Sequence, residues 1–558
     1  MKRFYILTLL LLVQATAFSQ VLTIEIPEHR FRIDPYNNIV VIQRESLAEY
    51  SNLAEYEGID LALNNFDFQF NSVPANLEFT GSYSINNGTD DYSLFFTQLP
   101  LLKIQTSTHI PGTGGGMNAE FSYADFDQIM VEQIILKNHN SYLANNPKKS
   151  YTLEFWTETE SHIPIDVEFE DMKIGANWSL ISMSNDPLRL RTFNSHKLWL
   201  AMHQPSYLED EPEALAGTEA KYVEAFVNGN YMGIYMLTQE LRPKVLELRE
   251  FDGNIKGELY RGREAQAATL FTGLPAYNDT NTFWSGHTMI YPVDTINWSN
   301  LYNFTDFVLN SDSVDFEEIW TKFDYQNYLD YFIFLNLTRT QDNTGKNIYI
   351  AKLDSAKPYF YVPQQLNGSF GVKWDGTTLD IANDILTNGF MDRVIENDVN
   401  DYTLDVNARW AELRTGPLAL DSLIGKFTDS YELLKANNVY ERESLVFPQY
   451  PYDESSFEYT ISWIQARIAF LDVYFNYNPD SVSKIDRTNF TIYPNPTDQN
   501  FRIKSNYNLT NEAYQIVDVQ GRVVKSAVYN GDQISVSDLD KGLYIVRIKN
   551  LSEKIIVR

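Results

Sequence analysis

The sequence predicts an α+β protein made of a small β region, a mixed body of helices and strands, and a terminal β-sandwich. Both ends of the chain read in short apolar runs that alternate with polar residues between turn residues, as strands with one buried face do. Between them lie stretches in which apolar residues recur every three or four positions, the spacing of a helix with one buried stripe. Within that middle part, Tyr222 to Glu240 sets an Asn-Gly pair between two alternating runs, which specifies a hairpin.

Taken in order, residues 1–19 read as a signal peptide. Lys2 and Arg3 give a positive start, Phe4 to Leu12 an apolar core, and Ala17-Phe18-Ser19 a peptidase site. Residues 20–100 form the small β region, with strands expected at Asn38 to Ile42 and Leu77 to Tyr83. The body, residues 101–476, carries helices predicted over Arg191 to His203, Asp324 to Thr338 and Ser462 to Tyr477. A polar linker, residues 477–487, leads to the last segment, 488–558. There, strands are expected at Tyr514 to Val519, Ile534 to Val536, Leu543 to Ile548 and Lys554 to Val557, with turns at Gln520-Gly521-Arg522 and Asp540-Lys541-Gly542.

Bulk properties narrow the function. A chain of 558 residues exceeds what one core serves, and 44% hydrophobic residues with 14% aromatics is a globular composition. The net charge of -30, with no polybasic run, disfavours nucleic acid and anionic membranes as partners. Zero Cys excludes disulfides, thiolate metal sites and a Cys nucleophile. No run after the leader approaches the ~20 apolar residues of a membrane helix. The run Gly112-Thr113-Gly114-Gly115-Gly116 lacks the Lys-Ser/Thr of a phosphate loop and reads as a connector. The His residues show no metal-ligand spacing, and no carboxylate pair suggests a glycosidase.

The chemistry-bearing stretch runs from Asp342-Asn343-Thr344-Gly345-Lys346-Asn347 to Pro363-Gln364-Gln365-Leu366-Asn367-Gly368-Ser369-Phe370-Gly371. An acid and an amide a short turn apart, then a second polar turn after a hairpin, is how kinase-like folds place a proton acceptor and metal ligands around a triphosphate. An Asx-type turn is the other reading of Asp342 and Asn347. Upstream lie Asn146-Pro147-Lys148-Lys149-Ser150-Tyr151, Asn185-Asp186-Pro187-Leu188-Arg189-Leu190-Arg191, the Asn228-Gly229-Asn230-Tyr231-Met232-Gly233 turn, and Gly257-Glu258-Leu259-Tyr260-Arg261.

In this order the segments resemble the spore-coat CotH kinase family, an atypical protein-kinase-like fold, across the whole body. The resemblance implies an ancestral ATP-dependent protein phosphorylation using Mg²⁺ or Mn²⁺. It makes Asp342 the catalytic-loop acid and Asn347 a metal ligand, and has Arg261, and more weakly Lys148 or Lys149, neutralise phosphate. The family's metal turn commonly reads Pro-Trp-Asp-Leu-Asp before Gly-Ser-Phe-Gly, so Gln365 and Asn367 stand at its two carboxylate positions, and Asp375 just beyond is a candidate substitute. Mg²⁺ favours anionic oxygen ligands, so phosphotransfer is expected to be weakened or lost. A non-catalytic surface module for a protein or glycan partner is the alternative.

The tail resembles a type A sorting domain of the type IX secretion system through Tyr493-Pro494-Asn495-Pro496, Val519-Gln520-Gly521-Arg522, Gly542-Leu543-Tyr544 and the closing Glu553 to Arg558. That implies export across the outer membrane of a Bacteroidetes-type bacterium through the type IX machinery, with the tail removed or used as an anchor.

Overall fold

Ile39–Gln43 is buried at every position, which a strand achieves only when both faces of its sheet are covered. It lies in a seven-stranded sheet spanning Val21–Ile26 to Asp91–Thr97. One face packs Ile24, Val40, Ile42, Leu61, Phe68 and Phe96 into a core of its own. The other sets Ile39, Val41 and Phe95 against Leu101, Phe226 and Tyr231 of the next layer. A computed structural model describes residues 20–108, 110, 115–138, 147–157, 163–450, 452–477, 490–505, 509–518, 522–549 and 551–558. The expected leader, residues 478–487 of the linker, Gly112 to Gly114, and Gln520-Gly521 lie outside them.

Leu77 to Ser82, read from sequence as a strand, turns instead. The Gly81 N–H closes on the Glu78 carbonyl at 3.1 Å, and Leu77 is held by its N–H to the Tyr50 carbonyl at 3.0 Å. The strand begins at Tyr83, whose hydroxyl accepts the Glu78 N–H at 2.6 Å. Alternation here reflects one buried Leu in a turn, since period two is shared by strands and some tight loops.

Leu101–Thr106 opens a closed barrel with Met117–Ala124, Ile129–Asn138, Tyr151–Trp156, Asn177–Ile181, Asn230–Gln239 and Ala220–Val227. A parallel joint, Glu224 opposite Leu101, closes it. The interior is filled by side chains: Phe169 meets Trp178 edge-on at 4.6 Å and Phe121 meets Phe155 at 5.0 Å, so the barrel is a packed core. Its predicted hairpin turns at Asn228 and Gly229, with φ of 51° and 76°, the signs of a type I′ turn.

An antiparallel five-stranded sheet follows, ordered Phe283–Trp284, His287–Tyr291, Glu258–Gly262, Ile348–Lys352 and Tyr359–Pro363. Helix Tyr325–Thr338 packs against it through a core that includes Tyr331, Phe332 and Tyr361. Helix Arg191–Met202 forms where predicted. The last predicted helix starts earlier, as Ser455–Tyr474, because Asp453 receives the Ser455 N–H at 2.9 Å and opens the first turn.

By contact the chain divides into two compact units, Met1–Tyr477 and Asn478–Arg558. The second holds a sheet of Val523–Val528, Ala513–Val517, Gly542–Ile548 and Leu551–Val557, and a smaller one of Phe490–Tyr493, Asn500–Ser505 and Ile534–Ser535, around Phe501, Ile516, Val546 and Ile555. Helix, strand and order of segments together are the α+β arrangement expected. Among the described residues no helix is long and apolar enough to cross a membrane.

Candidate functional site

The ends of three neighbouring strands bring several of the predicted residues together. The Asn347 N–H donates to the Gly262 carbonyl at 2.7 Å, and the Gln364 N–H to the Asn347 carbonyl at 3.1 Å. Buried Asn343 pins the same junction, its amide donating to the carbonyls of Asn347 at 2.9 Å and Gln364 at 3.0 Å. Asn343 escaped the sequence reading, although it stands inside the Asp342 to Asn347 block. The close approach also fixes two glycines. A Cβ on Gly262 would lie 2.6 Å from the Gly345 carbonyl oxygen, and one on Gly345 would lie 2.7 Å from Leu270.

Asn347 and Gln365 both adopt left-handed backbone, at φ of 59° and 53°. Asn tolerates that conformation, whereas Gln stores strain in it, and such strain persists where the surroundings over-determine it. Gln364 is tied by its amide to Thr218 at 3.1 Å, and Thr218 in turn to buried His196 at 3.1 Å. Burial pushes the His196 imidazole down to about 4, so it is neutral at physiological pH.

Asp342 lies in the single turn Gln341–Thr344 and keeps its side chain about one-third exposed, with the Lys346 ammonium 3.1 Å from its Oδ2. Asn367 donates to the Trp374 carbonyl at 3.3 Å, and its own carbonyl accepts from Asn185 at 2.8 Å. Arg261 is half-buried one residue before Gly262, opposite Tyr349, and its Nε is buried without a partner.

Asp375 joins none of this. It is exposed, and its carboxylate accepts the Thr377 N–H at 3.0 Å and hydroxyl at 2.7 Å, which hold its acidity below the ordinary carboxylate range. Asp186 is likewise occupied, taking N–H groups from Leu188, Leu190 and Arg191 and the Arg191 guanidinium at 2.6 Å. Among the described residues no group of three or more His, Asp or Glu is placed to hold a metal ion. Mg²⁺ or Mn²⁺ therefore does not fit this donor set: Asn347, Gln365 and Asn367 offer neutral amides, and Asp342 already faces a cation.

The two lysines lie elsewhere. Lys149 is half-buried, and its carbonyl takes the Tyr235 hydroxyl at 2.7 Å. Lys148 is enclosed by the barrel wall and helix Val439–Val446: its ammonium meets Glu443 at 2.6 Å and the Ile234 carbonyl at 2.6 Å, and faces the Tyr235 ring at 4.9 Å. Arg189 reaches the same Glu443 oxygen at 2.9 Å, and next to it Arg442 pairs with Glu224 at 2.6 Å. Gly233 makes room for this carboxylate, since a Cβ there would sit 2.8 Å from the Glu443 Cδ. The family-type glycine of the hairpin is thus explained by a residue more than two hundred positions away in the chain.

Burial, partly offset by Glu443 and reinforced by Arg189, brings the Lys148 ammonium down to about 7. The unfolded chain keeps this proton up to the ordinary lysine range near 10.5. Burial of Lys148 therefore costs stability below pH ~7, and the cost is relieved as pH rises from about 7 towards 10.5. Chemical denaturation between pH 7 and 9.5 is expected to show a stability slope more positive in the native protein than in Lys148→Met, by at most ~1.4 kcal/mol per pH unit. Equal slopes would refute the assignment.

With this geometry in place, the sequence model of the family described as CotH kinase protein matches residues 139–471, more than half of the chain. A second, described as a secretion system C-terminal sorting domain, matches residues 491–558. No curated protein matches the chain.

Proposed function

The chain belongs to the CotH kinase protein family, and from that premise we propose that it is a secreted or surface-displayed protein whose kinase-like cleft keeps a nucleotide-binding frame while its phosphotransfer is weakened or lost. The observation that carries this reading is the turn after Pro363. Its backbone is laced to Asn347 and Asn343, yet positions 365 and 367 hold Gln and Asn. In this reading Asp342 is the remaining acid, Asn347 a retained ligand, Gln365 and Asn367 the eroded metal positions, and Arg261 meets phosphate charge. The C-terminal match supports delivery by the type IX machinery, with the tail cleaved or retained as an anchor.

The second reading, a non-catalytic module for a protein or glycan partner, draws on Lys148. Its ammonium is fully enclosed and engaged by Glu443, as befits a structural strut.

Radiolabelled phosphotransfer from ATP with Mg²⁺ or Mn²⁺ tests the proposal. Incorporation is expected near background for the native chain and unchanged in Asp342→Ala. Robust incorporation by the native chain would overturn the loss of activity, and such incorporation, if it also survived Asp342→Ala, would remove Asp342 from the role of base.

A further inference from the structure

We propose that Asn367 is a site of spontaneous modification, its side-chain amide being lost to leave a carboxylate in the turn after Pro363. An Asn-Gly pair is the reactive arrangement, because glycine presents its backbone nitrogen with no side chain to shield it. The chain has such pairs at 87–88, 228–229, 367–368, 388–389 and 530–531. The reaction needs the glycine nitrogen free to attack and the asparagine side chain free to turn back towards it.

Three pairs lack one or both of these freedoms. Gly88 donates its N–H to the Asn86 Oδ1 at 3.0 Å, while the Asn87 Oδ1 accepts the Asp90 N–H at 2.8 Å. The Asn228 side chain is bound at both ends to Thr106, accepting its N–H at 2.8 Å and donating to its hydroxyl at 2.8 Å. Asn388 accepts the Met391 N–H at 3.0 Å and donates to the Thr344 carbonyl at 2.8 Å, and the Gly389 N–H goes to the Leu270 carbonyl at 2.9 Å. Asn367 differs. Among the described residues its side chain makes one hydrogen bond, to the Trp374 carbonyl at 3.3 Å, which is long for an amide N–H. Neither its Oδ1 nor the Gly368 N–H has a partner among them. Both residues are half-buried, so water reaches them.

The Gly368 nitrogen attacks the Asn367 Cγ. An N–Cγ bond forms, the Cγ–Nδ2 bond breaks, and ammonia departs with the proton that the glycine nitrogen loses. Water then opens the five-membered imide at one of its two carbonyls, giving aspartate or its β-linked isomer. Water is consumed and ammonia released, with no redox change. The product cannot donate to Trp374, since a carboxylate has no N–H, and it adds an anion at one of the two positions where the family's metal turn carries one. This consequence rests on the reading of that turn given above: ageing would return to the protein part of the metal grip that its sequence has lost.

Full-length protein aged in the folded state in mildly alkaline buffer, then digested for mass spectrometry, tests the inference. Conversion is expected at Asn367 and not at Asn87, Asn228 or Asn388, with Asn530, exposed and held by its neighbour Asp532, as the benchmark for an open turn. Chain aged in denaturant should convert at all these pairs alike, because each has the same following glycine. The aged native chain is expected to bind Mn²⁺ about threefold more tightly than the fresh one, the effect of one added anionic ligand, and aged Asn367→Ser should show no gain. No conversion at Asn367, or equal conversion at the three pinned pairs, would overturn the inference. Conversion without a gain in Mn²⁺ binding would leave the modification standing and overturn the metal-turn reading behind its consequence.

Discussion

Glu443→Ala is expected to destabilise the N-terminal unit by about 3–5 kcal/mol, the cost of removing one member of a buried charge set. Glu443 is the shared anion for two cations: Lys148, with its side chain wholly enclosed, and Arg189, with 2% exposure. Burial opposes its ionisation, but Arg189 first and then Lys148 hold its carboxyl below the ordinary range, so it is charged in the folded protein. Without it, the Arg189 guanidinium loses its buried anion in a region already containing Arg442 and Arg191, the Lys148 amine loses the carboxylate that supports its proton, and the space beside Gly233 is left empty. Lys148→Met in the same background should recover part of the loss, because it replaces a buried amine that has lost its carboxylate by an apolar side chain of similar length. The two substitutions should therefore be clearly non-additive. Tryptophan fluorescence isolates the relevant unit, since all 9 Trp precede residue 478. A loss under about 1 kcal/mol, additive with Lys148→Met, would show that the cluster contributes little.

That cluster also marks the limit of what a single sequence reveals. The hairpin from Tyr222 to Glu240 was legible because its determinants are local: alternation on both sides and two residues able to take positive φ. Helix Tyr325–Thr338 was legible for the same reason, with Asp324 capping the Asn327 N–H at 2.8 Å. Barrel closure was not, because the joint pairs Glu224 with Leu101 across more than a hundred residues, and nothing in either strand's own pattern names its neighbour. The same holds for Glu443. Its partners Lys148 and Arg189 come from quoted motifs, but a lone Glu on a short helix reads as a solvated face until the fold sets it over Gly233.

At the candidate site the order of segments was readable and the division of labour was not. The turns at Asp342 to Asn347 and Pro363 to Gly371 meet as their spacing suggested. The resemblance offers Lys148 or Lys149 as a weaker phosphate cation, and the enclosure of Lys148 by Tyr235 and Phe447, with Glu443 on its ammonium, shows where that charge goes. Lys346 was passed over as a residue within a motif, although its ammonium faces the only acid of the turn.

Gln365→Asp combined with Asn367→Asp is expected to raise affinity for Mg²⁺·ATP on the order of a hundredfold, about 2.7 kcal/mol, by returning two anionic oxygens to the turn. The same change should lower affinity for ATP in EDTA, because the new carboxylates repel bare phosphate. Opposite signs in the two buffers separate metal recruitment from a general gain in binding. The two positions should not contribute equally. Asp tolerates the left-handed backbone that Gln365 occupies at φ of 53°, so that substitution adds charge without adding strain. Asn367 donates to the Trp374 carbonyl at 3.3 Å, and an aspartate there would set two acceptors face to face, at a cost of about 1 kcal/mol. The carboxylate at 367 must swing away from Trp374 to reach a metal, whereas one at 365 stands next to Gln364, which is bonded to Asn347. Most of the gain is therefore expected from Gln365→Asp alone. If neither variant changes Mg²⁺·ATP binding while both fold normally, the turn after Pro363 is not the metal position, and its likeness to the family's motif is one of backbone frame only.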